Sequence, residues 1–166
     1  PAGLGYALEN RIVVSRVFSE LYHKTQIHRL APFFHTFHRS LIDRNPSQRD
    51  DPGIVLLSPG PDSRIYFEHA LLSRYLGYPL VEGQDLFVDG DFVYMRTTRG
   101  LKRVDVIYRR IDDDFLDPNC FREDSVLGVA DPRSDKRIDF VGGSRGAKEL
   151  ERRCTTDMKV AFAFAP

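Results

Sequence analysis

Apolar and polar residues alternate with two periods along this chain. From Ile12 to Tyr22 (IVVSRVFSELY) the residues Ile12, Val13, Arg16, Val17, Glu20 and Leu21 recur at helical spacing, and most of that side is apolar. This predicts a helix. A second helix is predicted from Pro32, suited to a first helical turn, through Phe33, Phe34, Phe37 and Leu41 to about Asp43. Residues 1–5 are Gly-rich and read as flexible. Asn45-Pro-Ser-Gln-Arg-Asp-Asp-Pro-Gly53 is polar and full of helix breakers, so it reads as a boundary loop.

Beyond Gly53 the period shortens. Ile54-Val-Leu-Leu57 is a short apolar run, the mark of a strand buried on both faces. Ser58-Pro-Gly-Pro-Asp62 is a turn. Asp62 or Ser63 is placed to cap a helix whose apolar side is Ile65, Phe67, Ala70, Leu71 and Leu72. Gly77 stands where that helix should end in a left-handed residue. Pro79-Leu-Val-Glu82 begins a second strand, Phe87 to Tyr94 reads as a hairpin around Asp89-Gly90, and Val104-Asp-Val-Ile-Tyr108 reads as one more strand. The sum is an α/β fold with a βαβ unit, whose strand ends are natural places for a ligand crevice. Further on, Ile138–Val141 is predicted as a strand and Ala147–Arg153 as a short helix. The apolar end, Val160 to Pro166, has no sequence after it to cover it.

Composition narrows the classes. With 42% apolar and 29% charged residues over 166 positions, the chain reads as globular rather than disordered. Lys+Arg and Asp+Glu both number 24, so the basic excess usual in nucleic-acid binders is missing. The charge is uneven, however. Residues 1–45 hold six Lys/Arg against three Asp/Glu, and residues 50–91 hold two against eight, as two mutually attractive surfaces would. No apolar run approaches the roughly 18 residues of a membrane span, and the first residues do not read as a signal peptide. Two cysteines, Cys120 and Cys154, are too few for a disulfide scaffold, so a cytoplasmic setting is expected.

Three segments carry candidate chemistry. Glu9 and Asn10 offer hard oxygen ligands of the kind Mg²⁺ takes, and Arg11 offers a fork for phosphate; the alternative is an ordinary polar helix surface. Arg109-Arg-Ile-Asp-Asp-Asp-Phe115 follows an apolar strand. Arg110 there is placed to grip a carboxylate or phosphate and Asp113 to orient an amine, unless the segment is a solvated loop of internal ion pairs. Glu68-His69 opens the helix after the Pro-Gly-Pro turn, either near a bound anion or as a surface Glu beside a partly buried His. His23, His28, His35 and His38 lie close in sequence but lack cysteines and acids nearby, so a metal site is not expected. Gly142-Gly-Ser-Arg-Gly-Ala-Lys148 lacks the spacing of a phosphate loop.

Taken in order, these motifs form a pattern. Gly5-Tyr-Ala-Leu-Glu-Asn-Arg11, Ser15-Arg-Val-Phe18 and Leu30-Ala-Pro-Phe-Phe34 are followed by Pro59-Gly-Pro61, Tyr66-Phe-Glu-His69 and Arg74 to Gly83. Val104 to Arg110, Asp112 to Pro118 and Asp124-Ser-Val-Leu-Gly128 complete the series. Over roughly residues 3–128 it resembles the bacterial circularly permuted ATP-grasp family (type 2), relatives of glutathionylspermidine synthase. The resemblance implies an ATP- and Mg-dependent ligase that joins a carboxylate to an amine through an acyl phosphate. It also implies a Rossmann-like pre-ATP-grasp domain over 53–128, preceded by a partial ATP-grasp segment with helices over 1–45 and followed by a divergent tail over 129–166. By the same resemblance Glu9 and Asn10 are metal ligands; the chemistry of the residues themselves adds the expectation that Arg11 meets the nucleotide and that Glu68, Arg110 and Asp113 bind substrate.

Family members enter the first motif through Asp-Arg-Thr-Gln-Ala-Pro-Ser-Gly, where this sequence has Pro1-Ala-Gly-Leu4, and residues 129–166 leave the family pattern. The expectation is a fragment of a longer enzyme, inactive alone, acting on small-molecule or peptide substrates rather than on nucleic acid or membranes. The alternative is a non-catalytic remnant or interaction domain with a Rossmann-like core.

Overall fold

The computed structural model describes residues 3–47, 49–116, 118, 122–129 and 161–163, with the side chains of Asp113 and of 161–163 outside that description. Three helices come first: α1 (Leu4–Val17), α2 (Ser19–Lys24) and α3 (Ala31–Ile42). Strand β1 (Ile54–Leu57), helix α4 (Tyr66–Leu76) and strand β2 (Leu80–Val81) form the βαβ unit. A meander of β3 (Leu86–Asp89), β4 (Phe92–Thr97) and β5 (Gly100–Val104) leads into β6 (Val106–Arg109). Strand β7 (Ala161–Ala163) comes last.

These strands make two sheets. The first is parallel with the order β2-β1-β6-β7, and the second is antiparallel with the order β3-β4-β5. Strand parity explains how they stack, because successive side chains point to opposite faces. Val55, Leu57 and Ile107 face the meander and share a core with Leu86, Val88, Val93 and Met95. Ile54, Leu56, Val106 and Tyr108 face the other way and pack with Leu8, Phe34, Leu41 and Leu72 of the helices. The result is three layers: helices, parallel sheet, antiparallel sheet. The segment ahead of the boundary loop thus shares a core with the sheet that follows it.

The sequence reading differs from the structure in local ways. The single helix expected over 12–22 is two helices, parted at Phe18 (φ −118°, ψ 48°), and it begins earlier, at Leu4. The residues read as one strand from Val104 to Tyr108 belong to two sheets, because the chain bends at Asp105. The expected cap on α4 is replaced by Ile65, which makes no side-chain cap bond. Gly77 does take the left-handed conformation (φ 76°) at the helix end, and its N–H donates to the Ser73 carbonyl. The segments 138–141 and 147–153, the Gly142–Lys148 stretch, Cys120 and Cys154 lie outside the described residues.

Candidate functional site

The chain lays β2 on one side of β1 and then, after the meander, β6 on the other. In open parallel sheets such a reversal opens a crevice at the carboxyl ends of the strands. Here that end is where Ser58 and Gly60 follow β1, Glu82 follows β2, Arg110 follows β6, and α4 begins. The Arg110 N–H donates to the Leu57 carbonyl at 2.8 Å, which fixes the guanidinium's starting point beside β1.

The centre of this end is Glu68. It lies in the first turn of α4 and is fully buried, although it is the most polar residue of its turn. Its Oε1 accepts the Gly5 N–H at 3.1 Å and its Oε2 accepts the Gly3 N–H at 3.2 Å. Arg110 Nη2 lies 3.1 Å from Oε2, with the guanidinium also nearly buried. The carboxylate therefore sits at the positive end of α1 and takes up amides that have no partner within the helix. Gly5 is required by the approach: a Cβ there would stand 2.6 Å from Glu68 Cγ and 3.2 Å from the Glu68 carbonyl oxygen. One cluster thus explains Gly5, Glu68 and Arg110, which lie far apart in sequence.

His69 extends the cluster inward. Its Nδ1 is 2.9 Å from Ser58 Oγ, which also accepts the Gly60 N–H at 3.2 Å. Burial lowers the imidazole pKa to about 4, with Arg110 adding to the effect and Glu68 opposing it. The ring is therefore neutral at pH 7. Its Nε2 has no hydrogen-bond partner among the described residues. Tyr108, on β6, has its hydroxyl pKa raised by burial, with Arg110 pulling the other way. Burial also lowers Arg109 to about 9, with Asp112 opposing, and its Nη1 donates to the Ile111 carbonyl at 3.3 Å.

The other expected residues are placed differently. Glu9 is half-buried one turn after Gly5 on the same side of α1, whereas Asn10 is exposed. Arg11 lines a cavity of about 320 Å³ with Leu8, Tyr22, Arg29 and Tyr75. None of the three side chains makes a hydrogen bond or ion pair to a described residue. Asp113 falls in a short 3-10 turn, Asp113–Phe115, just beyond Arg110, with its side chain outside the description.

Glu9 and Asn10 suit Mg²⁺ in kind. As neighbours on a helix, however, they project about 100° apart, and no group of three or more His, Cys, Asp or Glu side chains among the described residues is arranged to hold a metal. These residues do not fit Mg²⁺ as a complete site. Among the four histidines near the start, His38 bonds Tyr78 through Nδ1, and its ring lies against the tyrosine at 5.7 Å.

A cavity of about 500 Å³ lies at the opposite, amino end of the parallel sheet. His38, Arg49, Gly53, Tyr78, Lys102 and Arg103 line it. Behind it Asp105 is fully buried and accepts from Arg49 Nη1 at 3.1 Å and from the Gly53 N–H at 2.8 Å. Arg103 Nε is 2.9 Å from the other oxygen, near enough for an ion pair but not aligned as a hydrogen bond. Burial pushes the Tyr78 hydroxyl up to about 12. Sequence reasoning passed over Asp105. The signal was available, since an Asp inside the apolar run Val104–Tyr108 must find partners if the run is buried.

A family model for circularly permuted ATP-grasp type 2 proteins matches residues 1–132. The chain belongs to this family. The match covers α1 through β6 and ends four residues into the 129–166 segment. An uncharacterised protein of Mycobacterium tuberculosis is 48% identical over 130 residues, which is 78% of this chain and 24% of that protein. A second uncharacterised M. tuberculosis protein is 43% identical over 129 residues, covering 78% of this chain and 15% of its own length. An uncharacterised Synechocystis protein is 43% identical over 129 residues, with 78% and 27% covered. The chain thus spans about a quarter or less of the length of these ATP-grasp relatives.

Proposed function

We propose that this chain is the Rossmann-like core and leading helices of an ATP- and Mg-dependent ligase that joins a carboxylate to an amine. The family match over residues 1–132 carries this reading. In it, ATP activates the carboxylate as an acyl phosphate and the amine displaces the phosphate. Arg110 and Asp113 orient the substrates at the carboxyl end of the sheet. Glu9 and Asn10 supply oxygen donors, and Arg11 a guanidinium, to a nucleotide and metal site completed by residues from the rest of a longer protein. Glu68 contributes by holding α1 against that end.

The reaction belongs to the cytoplasm, with small molecules or peptides as substrates and neither nucleic acid nor membrane as partner. No helix among the described residues is long and apolar enough to cross a membrane.

One observation favours a second reading, a non-catalytic domain with the same core. Glu68 and Arg110 already neutralise each other in a buried pair, which leaves less of either for a substrate. The two readings part on nucleotide chemistry. Residues 3–129 would be spliced into the 48%-identical M. tuberculosis protein in place of its matching segment. The ligase reading expects this chimera to release ADP from Mg-ATP when given carboxylates and amines, and Glu9→Ala to lower that release about tenfold or more. Neither calorimetric heat with Mg-ATP nor ADP release, in the chimera and in the relative itself, retires the ligase.

A further inference from the structure

The cavity of about 320 Å³ that Arg11 lines is built by α1, α2, the start of α3 and the last turn of α4. Arg29, from the connection between α2 and α3, lines it too. Neither guanidinium makes a hydrogen bond or ion pair to a described residue, and no Asp or Glu among the described residues lines the cavity. Tyr22, another lining residue, is only 8% exposed, and its hydroxyl has no hydrogen-bond partner among the described residues. Leu30 and Ala31 bring the start of α3 to the same hollow. No side chain caps that helix end, and its first turn holds no acid. The free amides there carry partial positive charge.

The other arginine clusters are neutralised within the fold. Arg110 is held by Glu68. In the amino-end cavity Asp50 and Asp51 stand among the lining residues, and Arg49 and Arg103 are bound to Asp105. Segment 1–45, with six Lys/Arg against three Asp/Glu, instead places two of its six cations in one hollow and none of its three acids. Like charges that share a hollow repel, and an anion between them reverses the sign.

We propose that this cavity binds a phosphate group. A phosphate monoester at neutral pH carries a charge near −2 and offers three acceptor oxygens. Two guanidiniums balance that charge. Donors from α1, from the α2–α3 connection, from Tyr22 and from the start of α3 come from several sides, as a tetrahedral group requires. A carboxylate, planar and singly charged, is satisfied by one guanidinium fork. Leu8, Ile12 and the Tyr75 ring add an apolar wall that a phosphate ester can use and free phosphate cannot. None of Ser58, Glu68, His69 and Arg110 lines this cavity, so it is a separate place from the carboxyl-end cluster. The pocket deepens the role given to Arg11 in the ligase reading, and a nucleotide as carrier of the phosphate rests on that reading.

The test is calorimetric titration of the 166-residue chain, at fixed ionic strength, with inorganic phosphate, glycerol phosphate, AMP and acetate. Saturable binding of a phosphate probe is expected, with acetate about tenfold weaker or more. Arg11→Ala and Arg29→Ala should each weaken that binding about tenfold or more, as loss of a charge-assisted hydrogen bond does. Arg16→Ala removes a charge from the exposed side of α1, outside the cavity, and should change binding by less than about twofold. Arg29 is exposed, so Arg29→Ala should melt as the unliganded wild type does. The rise in melting temperature that the phosphate probe gives the wild type should vanish in this variant.

No saturable binding of any of the three phosphate probes overturns the pocket. So does an equal loss in Arg16→Ala and Arg29→Ala, the mark of a generally basic surface, and so does acetate binding as tightly as phosphate. Within the proposal, the tightest probe names the source: inorganic phosphate a free ion, glycerol phosphate an ester, AMP a nucleotide. Phosphate binding by the chain without ADP release from the chimera described above keeps the pocket and removes the ligase. ADP release without phosphate binding does the reverse.

Discussion

The two ends of the parallel sheet solve the same problem in opposite ways. Each buries a carboxylate against guanidinium groups and backbone amides: Glu68 with Arg110, Gly3 and Gly5 at the carboxyl end, Asp105 with Arg49, Arg103 and Gly53 at the amino end. At the carboxyl end the cation is sealed in, with the Arg110 side chain 8% exposed. At the amino end the cations stay wet, Arg49 at 49% and Arg103 at 27%, and a cavity of about 500 Å³ opens beside them. The sealed end joins α1 to the sheet, and the open end leaves room. The open cavity and the sealed Glu68–Arg110 pair therefore fall at different ends of the sheet.

The contrast ranks the expected effects of mutation. Glu68→Ala strands Arg110 in the interior and frees two amides of α1, so it should lower unfolding free energy by about 3–5 kcal/mol in urea denaturation. A loss under 1 kcal/mol would mean that this end is not sealed.

Next comes acid. His69 is lowered from 6.5 to about 4, so the unfolded chain binds the extra proton between those values. Stability should be full above pH 6.5, fall by up to about 3 kcal/mol on going down to pH 4, and level off below. His69→Gln should flatten that slope, and an unchanged profile would remove His69 as its source.

Gly5→Ala sets a gain of roughly 1 kcal/mol in helix propensity against overlap with Glu68 at 2.6 Å. The overlap should win, with a net loss of about 1–3 kcal/mol in thermal unfolding. A stabilised variant would show that α1 can shift away from α4. Asp105→Asn keeps an acceptor for the Gly53 N–H and leaves its cations in reach of water, so about 1–2 kcal/mol is expected by the same measurement. A loss as large as that of Glu68→Ala would erase the contrast between the ends. Lys102→Ala, at the rim of the open cavity, should change stability by no more than about 0.5 kcal/mol, and a larger loss would reveal a contact that holds the cavity's shape.

Local signals were legible in the sequence and long-range ones were not. Ile54–Leu57, the Asp89-Gly90 hairpin, the helix from about Pro32 and Gly77 at a helix end all rest on neighbours within a few positions. The start of α1 does not. Gly3-Leu-Gly5 reads as flexible until Glu68, 63 positions on from Gly5, arrives to bind its amide. The inner side of α4 was misread for the same reason. Ile65 and Phe67 are exposed while Glu68 and His69 are buried, because Arg110 and Ser58 wait for them at the sheet. The hairpin between β4 and β5 was missed, since Thr97-Thr-Arg-Gly100 carries only one turn residue.

At the candidate site, Glu68, Arg110 and Asp113 were expected separately as substrate ligands, and the structure brings Glu68 and Arg110 together on each other. Residue type announced that their charge would meet a partner. It held no information about whether that partner was a ligand or the fold.

The single residue between β5 and β6 sets how the molecule tolerates change. Because Asp105 alone hands the chain from one sheet to the other, and is itself bound on three sides, the meander has no slack to hinge on. Extra residues grafted at the exposed Thr98-Arg99 tip would only lengthen an arm. One residue inserted beside Asp105 would slip the register of both sheets together.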